Sequence, residues 1–181
     1  MIRLFVALPL PDDLAVRLVA LGCGVDGAHW VSAENLHITL RFIGEVSEPV
    51  VDDIAYNLDT VSAGPISVTL AGAGQFASRG RTRGLWIGVN KSPDLEVLRN
   101  KVDIVLVRAG LQLDGRKYIP HVTIGRIKNA RRNRVIGWLR SNSTFVSTPF
   151  SVPNFVLYQS RIGRNGPNYL PIANYRFASA Q

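Results

Sequence analysis

The chain has 181 residues, of which 46% are hydrophobic and 19% charged, and this balance excludes an intrinsically disordered protein. A single cysteine, Cys23, excludes an internal disulfide and a zinc site built from paired cysteines, so we expect a reducing, cytoplasmic location. No stretch approaches the roughly eighteen consecutive apolar residues of a membrane span.

The first half of the chain predicts a strand, a helix, a second strand, a second helix and a third strand. Proline and acidic residues at 11–13 suit the first turn of a helix, and Ser47-Glu48-Pro49 is a second helix start. The glycines at 22–27 follow a helix, so we interpret them as the loop that ends it and not as a dinucleotide-binding turn. The predicted elements are a strand at 3–8, a helix from 11, a strand at 36–43, a helix from 48 and a strand at 66–70.

The second half repeats this series after a glycine-rich, basic segment at 72–84, to which we assign no helix or strand. Its predicted elements are a strand at 85–89, a helix at 92–110, a strand around 121–124, a weak basic helix near 130–140 and a strand at 151–158. The economical explanation is an internal duplication. It predicts an α+β fold of two lobes, in which two antiparallel sheets flank a central cleft and the helices lie on the outer faces.

One four-residue sequence occurs in both halves, as His37-Ile38-Thr39-Leu40 and as His121-Val122-Thr123-Ile124. Side chains alternate between the two faces of a strand, so the His and Thr of each copy point one way while the aliphatic residues anchor it in a core. One copy alone would usually be a half-buried structural histidine, but two copies hold two of the chain's 3 histidines and therefore indicate a site. The remaining histidine, His29, has no matching threonine, and we interpret it as a polar loop residue.

The four motif side chains predict a particular chemistry. Two imidazoles facing one cleft can hold different protonation states near neutral pH, so that one accepts a proton while the other donates. Two hydroxyls can hold the non-bridging oxygens of a phosphate, and nearby positive charge stabilises a developing anion. The combination suits phosphodiester chemistry without a metal, and we expect no cofactor. The chain has no Gly-Lys-Ser/Thr phosphate loop, no His-Glu-x-x-His and no Gly-x-Ser-x-Gly turn.

The charges are divided unevenly along the chain. All 13 acidic residues lie within residues 1–114, where the net charge is −3, whereas residues 115–181 carry 11 basic side chains and no acidic one. An acid-free portion of this kind predicts a surface for a polyanion, although it is also compatible with a solvated basic face that has no partner.

The paired His-x-Thr-x motifs resemble those of the two-histidine (2H) phosphoesterase superfamily, and in particular its bacterial RNA 2',3'-cyclic phosphodiesterases, historically called 2'-5' RNA ligases. The resemblance covers nearly the whole chain, through residues 3–7, 10–11, 30, 34–46, 85–89, 120–126 and 157–161. Ile119 stands where the family often has arginine before Pro-His, so we expect Arg126 or Arg161 to supply a phosphate-side cation instead.

The resemblance implies one bilobal domain over residues 1–181 with a groove between the lobes. It also implies hydrolysis of a terminal 2',3'-cyclic phosphate on RNA to a 2'-phosphate. Whether the protein also carries out reversible 2'-5' ligation in vitro stays open. By the family's pattern, His37 is the proton donor to the leaving 3'-oxygen and His121 the acceptor that activates water. Thr39 and Thr123 hold the phosphate. The expected substrate contacts are Arg41, Tyr118, Arg126 and Arg161. We expect a monomer that acts on RNA ends and associates with no membrane. We also expect it to bind RNA phosphates through basic residues that include Arg126, Lys128, Arg131, Arg132 and Arg134.

Two other functions stay open from the residues alone. The cleft could bind an RNA end without turnover, or it could hydrolyse small cyclic nucleotides or cyclic ADP-ribose derivatives. A turnover assay separates the first, and the salt dependence of KM on an oligonucleotide separates the second. The motifs are symmetric with respect to which histidine is the base, so that assignment comes from the resemblance alone.

Overall fold

The computed structural model describes residues 1–163 and 166–178, and its elements follow the predicted series closely. The first half contains β1 (Ile2–Pro9), α1 (Asp12–Val19), β2 (Ala28–Trp30), β3 (His37–Val46), α2 (Glu48–Asp59) and β4 (Ile66–Val68). Asp12 and Asp13 occupy the first turn of α1, where negative charge is favourable, and Pro49 lies in the first turn of α2. Both predicted helix starts are confirmed.

The second half contains β5 (Leu70–Ser78), β6 (Arg81–Val89), α3 (Pro93–Arg108), β7 (His121–Ile127), α4 (Arg132–Asn142), β8 (Phe150–Val152), β9 (Asn154–Gly163) and β10 (Gly166–Arg176). The side chain of Ser92 caps α3 by accepting a hydrogen bond from the Leu95 N–H at 3.4 Å. The predicted helices from 92 and near 130 are therefore confirmed, with boundaries that differ by a few residues.

Residues 72–84, to which the sequence pattern assigned no element, form most of a β-hairpin. β5 and β6 pair as far as Ser78 and Arg81. The turn between them is made by Arg79 and Gly80, whose φ angles of 50° and 72° are typical of the tight turn that matches strand twist. The outer half of β5 is exposed and shows no alternation of apolar and polar residues, which is why the sequence pattern did not reveal a strand.

Two strands were not predicted at all. β2 has only three residues, and β10 is an edge strand with two prolines and a single buried residue, Tyr175. Proline is tolerated at a sheet edge because a missing N–H there interrupts no ladder. β2 is stabilised by pairing with β7, and β10 by pairing with β9. Neither strand has a sequence pattern that predicts it.

The strands form one large antiparallel sheet in the order β10-β9-β1-β3-β7-β6-β5, with β2 also on β7, while β4 and β8 form a small second sheet. β3 and β7 are joined by one residue pair only, Ile38 with Val122. The sheet therefore has two arms that meet at the two motif strands. One arm joins β1 and β3 of the first half to β9 and β10 of the second, and the other joins β5, β6 and β7 to β2 of the first half. The α+β class with antiparallel strands and two related halves is confirmed.

One hydrophobic core lies between the sheet and the helices. Ile38, Leu40, Val122 and Ile124 of the motif strands belong to the same buried cluster as the inward residues of all four helices. Those helical residues include Leu14 and Leu18, Ile54 and Leu58, Leu98 and Val102, and Val135 and Trp138. The opposite face of the motif strands is left to line the cleft. In residues 1–163 and 166–178, every helix is too short or too polar to cross a membrane.

Candidate active site

The motif strands bring the two His/Thr pairs together on one face of the sheet. Ile38 and Val122 are directly paired and fully buried, so their neighbours along each strand point to the opposite side. Continuing this antiparallel register by one residue each way places His37 opposite Thr123 and Thr39 opposite His121. Each imidazole therefore faces a hydroxyl from the other half of the chain.

Each imidazole is anchored by a backbone carbonyl two residues before it. The Nδ1–H of His37 donates to the carbonyl of Asn35 at 2.8 Å, and that of His121 donates to the carbonyl of Ile119 at 2.7 Å. A carbonyl only accepts, so Nδ1 carries the proton in both rings. The tautomer leaves Nε2 of each neutral imidazole free to exchange a proton.

Aromatic rings from corresponding strands surround the two imidazoles. The His37 ring lies 4.9 Å from Phe5 of β1 and 5.2 Å, edge-on, from Tyr169 of β10. The His121 ring lies 5.8 Å from Trp86 of β6 and 4.8 Å, edge-on, from Phe76 of β5. These rings exclude water from one side of each imidazole and fix its plane.

These buried surroundings shift the pKa values of both histidines. Burial lowers the pKa of His37 to about 4 against the raising effect of its hydrogen bond to Asn35, and the charges of Arg126 and His121 lower it further. Burial also lowers the pKa of His121 below its usual 6.5, against the raising effect of the hydrogen bond to Ile119. The lowered pKa values favour the neutral form of both imidazoles at pH 7.

A β-bulge interrupts both motif strands at the same place. The extra residue is Leu40 in β3 and Ile124 in β7, and each bulge reverses the alternation that follows. Arg41 is turned towards the core, with only 6% of its surface exposed, whereas Phe42 is 54% exposed on the cleft side. In β7 the residue that corresponds to Phe42 is Arg126, which is likewise exposed.

The predicted substrate contact Arg41 is not brought to the cleft as a free cation. Its guanidinium lies 3.3 Å from the carboxylate of Asp103 and 3.2 Å from that of Asp114, and it donates to the carbonyl of Gln112. Asp103 also pairs with Arg99 at 2.9 Å. Arg41 therefore borders the cavity while tying β3 to α3 and to the segment 111–120 that leads into His121, and the bulge at Leu40 turns its side chain to these partners.

Tyr118 borders the cleft and holds the two halves together. Its hydroxyl donates to the carbonyl of Thr39 at 3.1 Å, and its ring lies 5.4 Å from the guanidinium of Arg99. Burial raises the pKa of Tyr118, so the hydroxyl stays protonated at any physiological pH. The structure places this predicted residue beside the site.

The remaining two predicted cations lie in different places. Arg126 projects into the cleft and donates a 2.7 Å hydrogen bond to the hydroxyl of Tyr169, whose ring touches His37. Arg161 lies on β9, where alternation places it on the face opposite Tyr158, and it donates to the side chain of Gln159 at 3.2 Å. The structure brings Arg126, but not Arg161, to the two histidines.

The cleft is a cavity of about 500 Å³. The residues around it include Thr39, Phe76, Arg116, Lys117, Tyr118, His121, Thr123 and Arg126. Arg116 and Lys117 were missed as site residues, although two basic residues a few positions before the second motif were a usable signal. Tyr169 was missed because its strand was missed. Among the described residues no three His, Cys, Asp or Glu side chains converge on a point where they could hold a metal ion.

A sheet of two related arms that presents two His/Thr pairs and an arginine to one cleft defines a two-histidine phosphoesterase. A family model described as LigT-like phosphoesterase matches the chain twice, at residues 8–86 and 87–169, in agreement with the internal duplication. The chain belongs to this LigT-like phosphoesterase family.

Named relatives and solved structures agree with this assignment. The RNA 2',3'-cyclic phosphodiesterase of Aeropyrum pernix is 36% identical over 152 residues, which cover 83% of this chain and 86% of that protein. The protein of the same name from Archaeoglobus fulgidus is 35% identical over 171 residues, covering 92% and 96%. The crystal structure of Escherichia coli LigT with 3'-AMP superposes with a TM-score of 0.78 at 25% identity, covering 97% of this chain and 98% of that one.

Proposed function

We propose that the protein hydrolyses the 2',3'-cyclic phosphate at the end of an RNA chain to a 2'-phosphate, by acid–base catalysis without a metal. The relatives named RNA 2',3'-cyclic phosphodiesterase support this substrate, as does the E. coli relative crystallised with 3'-AMP. The observation that carries the proposal is the pair of imidazoles with Nδ1–H held by carbonyls and Nε2 left free.

The phosphate of the substrate sits between the two motif strands in this proposal. The hydroxyls of Thr39 and Thr123 donate to its non-bridging oxygens, and the exposed guanidinium of Arg126 stabilises the negative charge that grows on them. Because His37 and His121 come from opposite arms, they flank the phosphorus from opposite sides. In-line displacement needs this arrangement, with the attacking oxygen opposite the leaving one.

The proton transfers follow from the free Nε2 atoms. Nε2 of His121 takes a proton from water as its oxygen attacks phosphorus, and the bond between phosphorus and the 3'-oxygen breaks. Nε2 of protonated His37 gives its proton to that 3'-oxygen, leaving a 3'-hydroxyl and a 2'-phosphate. The low pKa of His37, about 4, is raised when the phosphate anion binds beside it, so the donor is charged in the complex.

The proposed arrangement would also allow ligation as a side reaction. A 5'-hydroxyl of a second RNA that takes the place of water gives a 2'-5' phosphodiester, because the 3'-oxygen is still the leaving group. We propose that residues 1–181 form one catalytic unit that acts as a monomer. Each half of the chain supplies one imidazole and one hydroxyl, so a single chain contains the complete site.

The identity of the product tests the proposal. We expect phosphorus NMR to show a 2'-phosphate, with one solvent oxygen incorporated per turnover, because neither threonine has a separate base that would make it a nucleophile. His37→Ala and His121→Ala should each lower kcat/KM on the order of a hundred-fold or more while thermal unfolding shows an intact fold. A 3'-phosphate product would mean that the roles of the two histidines are reversed, and near-wild-type activity in both variants would refute the mechanism.

A further inference from the structure

A second groove opens from the catalytic cleft at Arg126. It has a volume of about 1030 Å³, and the residues around it include His29, Asn35, Arg83, Arg126 and Lys128. Arg126 also lines the catalytic cavity, so the two spaces share a wall. Asn35, whose carbonyl holds the Nδ1–H of His37, forms another part of the boundary.

A row of cations leads away from the catalytic pair at the end of β7. Arg126 lies in β7 and Lys128 directly follows the strand; both are exposed and both line the second groove. On the neighbouring strand, the exposed Arg83 lies next to Gly84, which pairs with Arg126, and it borders the same groove. The positive charge therefore continues outwards from the phosphate site along the strand direction.

The row continues beyond Lys128. A third cavity of about 560 Å³ is lined by Lys128 together with Arg81 of the β5–β6 hairpin and Arg132 at the start of α4. Lys128 lines both the second groove and this third cavity. In the same way, Arg126 lines both the catalytic cavity and the second groove. We call the continuous surface from Arg126 through Lys128 to Arg132 the basic path.

Few carboxylates oppose this charge. Glu34 borders the second groove and accepts a 2.6 Å hydrogen bond from the hydroxyl of Ser32. Asp114 borders the catalytic cavity, but it is paired with Arg41 and Arg116. The named cations outnumber the carboxylates along the path, which favours a chain of phosphates over a neutral or cationic ligand.

We propose that the basic path holds the nucleotides on the 5' side of the terminal cyclic phosphate through contacts to their phosphates. The inference rests on the proposed function, which places the terminal phosphate between His37 and His121. Contacts of this kind position a strand without reading its bases, so the protein takes RNA ends of any sequence and prefers oligonucleotides to cyclic mononucleotides.

The test compares two variants that each lose two positive charges. Lys128→Gln/Arg132→Gln removes cations from the path, and Arg108→Gln/Arg176→Gln removes two exposed cations that do not line it. The first readout is the Kd of a fluorescent ten-nucleotide RNA that ends in a 2'-phosphate, measured over a range of salt concentrations. The second is kcat/KM on 2',3'-cyclic AMP, which is too small to reach Lys128 and Arg132.

We expect the path variant to bind the ten-nucleotide RNA roughly ten-fold more weakly at low salt, with a log–log salt slope reduced by about 1.4, or about 0.7 per lost phosphate contact. Its activity on 2',3'-cyclic AMP should match the wild type, and the control variant should match the wild type in both readouts. The proposed role of the basic path would be refuted if the two variants bound RNA equally. It would also be refuted if the path variant lost as much activity on 2',3'-cyclic AMP as it lost affinity for RNA. If the wild type hydrolyses no cyclic phosphate but the binding slopes differ as expected, the proposed function fails and the path stands.

Discussion

His37 and His121 hold their imidazoles in the same way, although they come from different halves of the chain. Each Nδ1–H donates to the carbonyl of the residue two positions earlier, at 2.8 Å for His37 and 2.7 Å for His121. The two rings thus have the same tautomer and the same free nitrogen. What distinguishes them is their surroundings, because Arg126 acts on His37 in particular.

The first prediction concerns pH. We expect the pH profile of kcat/KM to be bell-shaped. Its maximum should lie above the pKa of His37, which is about 4, and below 6.5, because burial holds the pKa of His121 under that usual histidine value. Below this window both imidazoles are protonated and neither can accept a proton, while above it both are neutral and neither can donate. Within it the pair holds one proton, and the reactive form, with that proton on His37, is the less populated of the two singly protonated forms. The maximum of kcat should lie at higher pH, because the bound phosphate anion raises both pKa values. A maximum of kcat/KM above pH 7 would contradict this.

The second prediction concerns Arg126. Arg126→Gln removes a positive charge that lowers the pKa of His37, so the acid limb of the kcat/KM profile should move to higher pH. KM should rise as well, because a phosphate contact is lost. Arg108→Gln, at the exposed end of α3, is the matched control and should leave the profile in place. An acid limb that stays at the same pH in Arg126→Gln would show that this guanidinium does not act on His37.

The third prediction concerns the buried ion pair of Arg41 and Asp103, whose side chains are 6% and 4% exposed. Arg41→Met leaves buried carboxylates without this partner and should lower the free energy of unfolding by roughly 3 kcal/mol. It should also lower kcat, because the segment 111–120 loses the contact through Gln112 and carries the Ile119 carbonyl that orients His121. Urea unfolding measures the first effect, with the exposed Arg108→Met as control. The idea is refuted if both variants unfold at the same urea concentration.

The fourth prediction concerns metals. All charge stabilisation in the proposed reaction comes from the hydroxyls of Thr39 and Thr123, from Arg126 and from the imidazoles. We therefore expect kcat and KM to be unchanged after dialysis against a chelator. Activity that is lost on chelation and restored by a divalent ion would show that the mechanism lacks a component.

The two His/Thr pairs could be predicted because they depend on a local property of the chain. Alternation along a strand requires only extended backbone, so His37 and Thr39 share a face wherever the strand is placed. The recurrence of the motif then indicated a second strand of the same kind. The helix starts were also local, since proline, serine and acids act within the first turn.

Arg41 shows where the local argument ends. It lies two residues after Thr39, where simple alternation along a strand would put both side chains on one face, but the bulge at Leu40 turns it into buried ion pairs. A bulge depends on how β3 pairs with β1, which alternation within β3 does not report. Tyr169 shows the same limit, because the edge strand that brings it to His37 is stabilised by its neighbour.

The sequence by itself determined the repeated motif, the helix starts, the α+β class and the division of charge, because each of these can be read from residue types and their spacing. Only the tertiary structure decided that Arg126 reaches the histidines while Arg41 is buried and Arg161 faces away. It also decided the pKa of His37 and the path from Arg126 to Arg132. The reason is that burial and distance between charges are set by strands far apart in the chain, and electrostatic interactions depend on both.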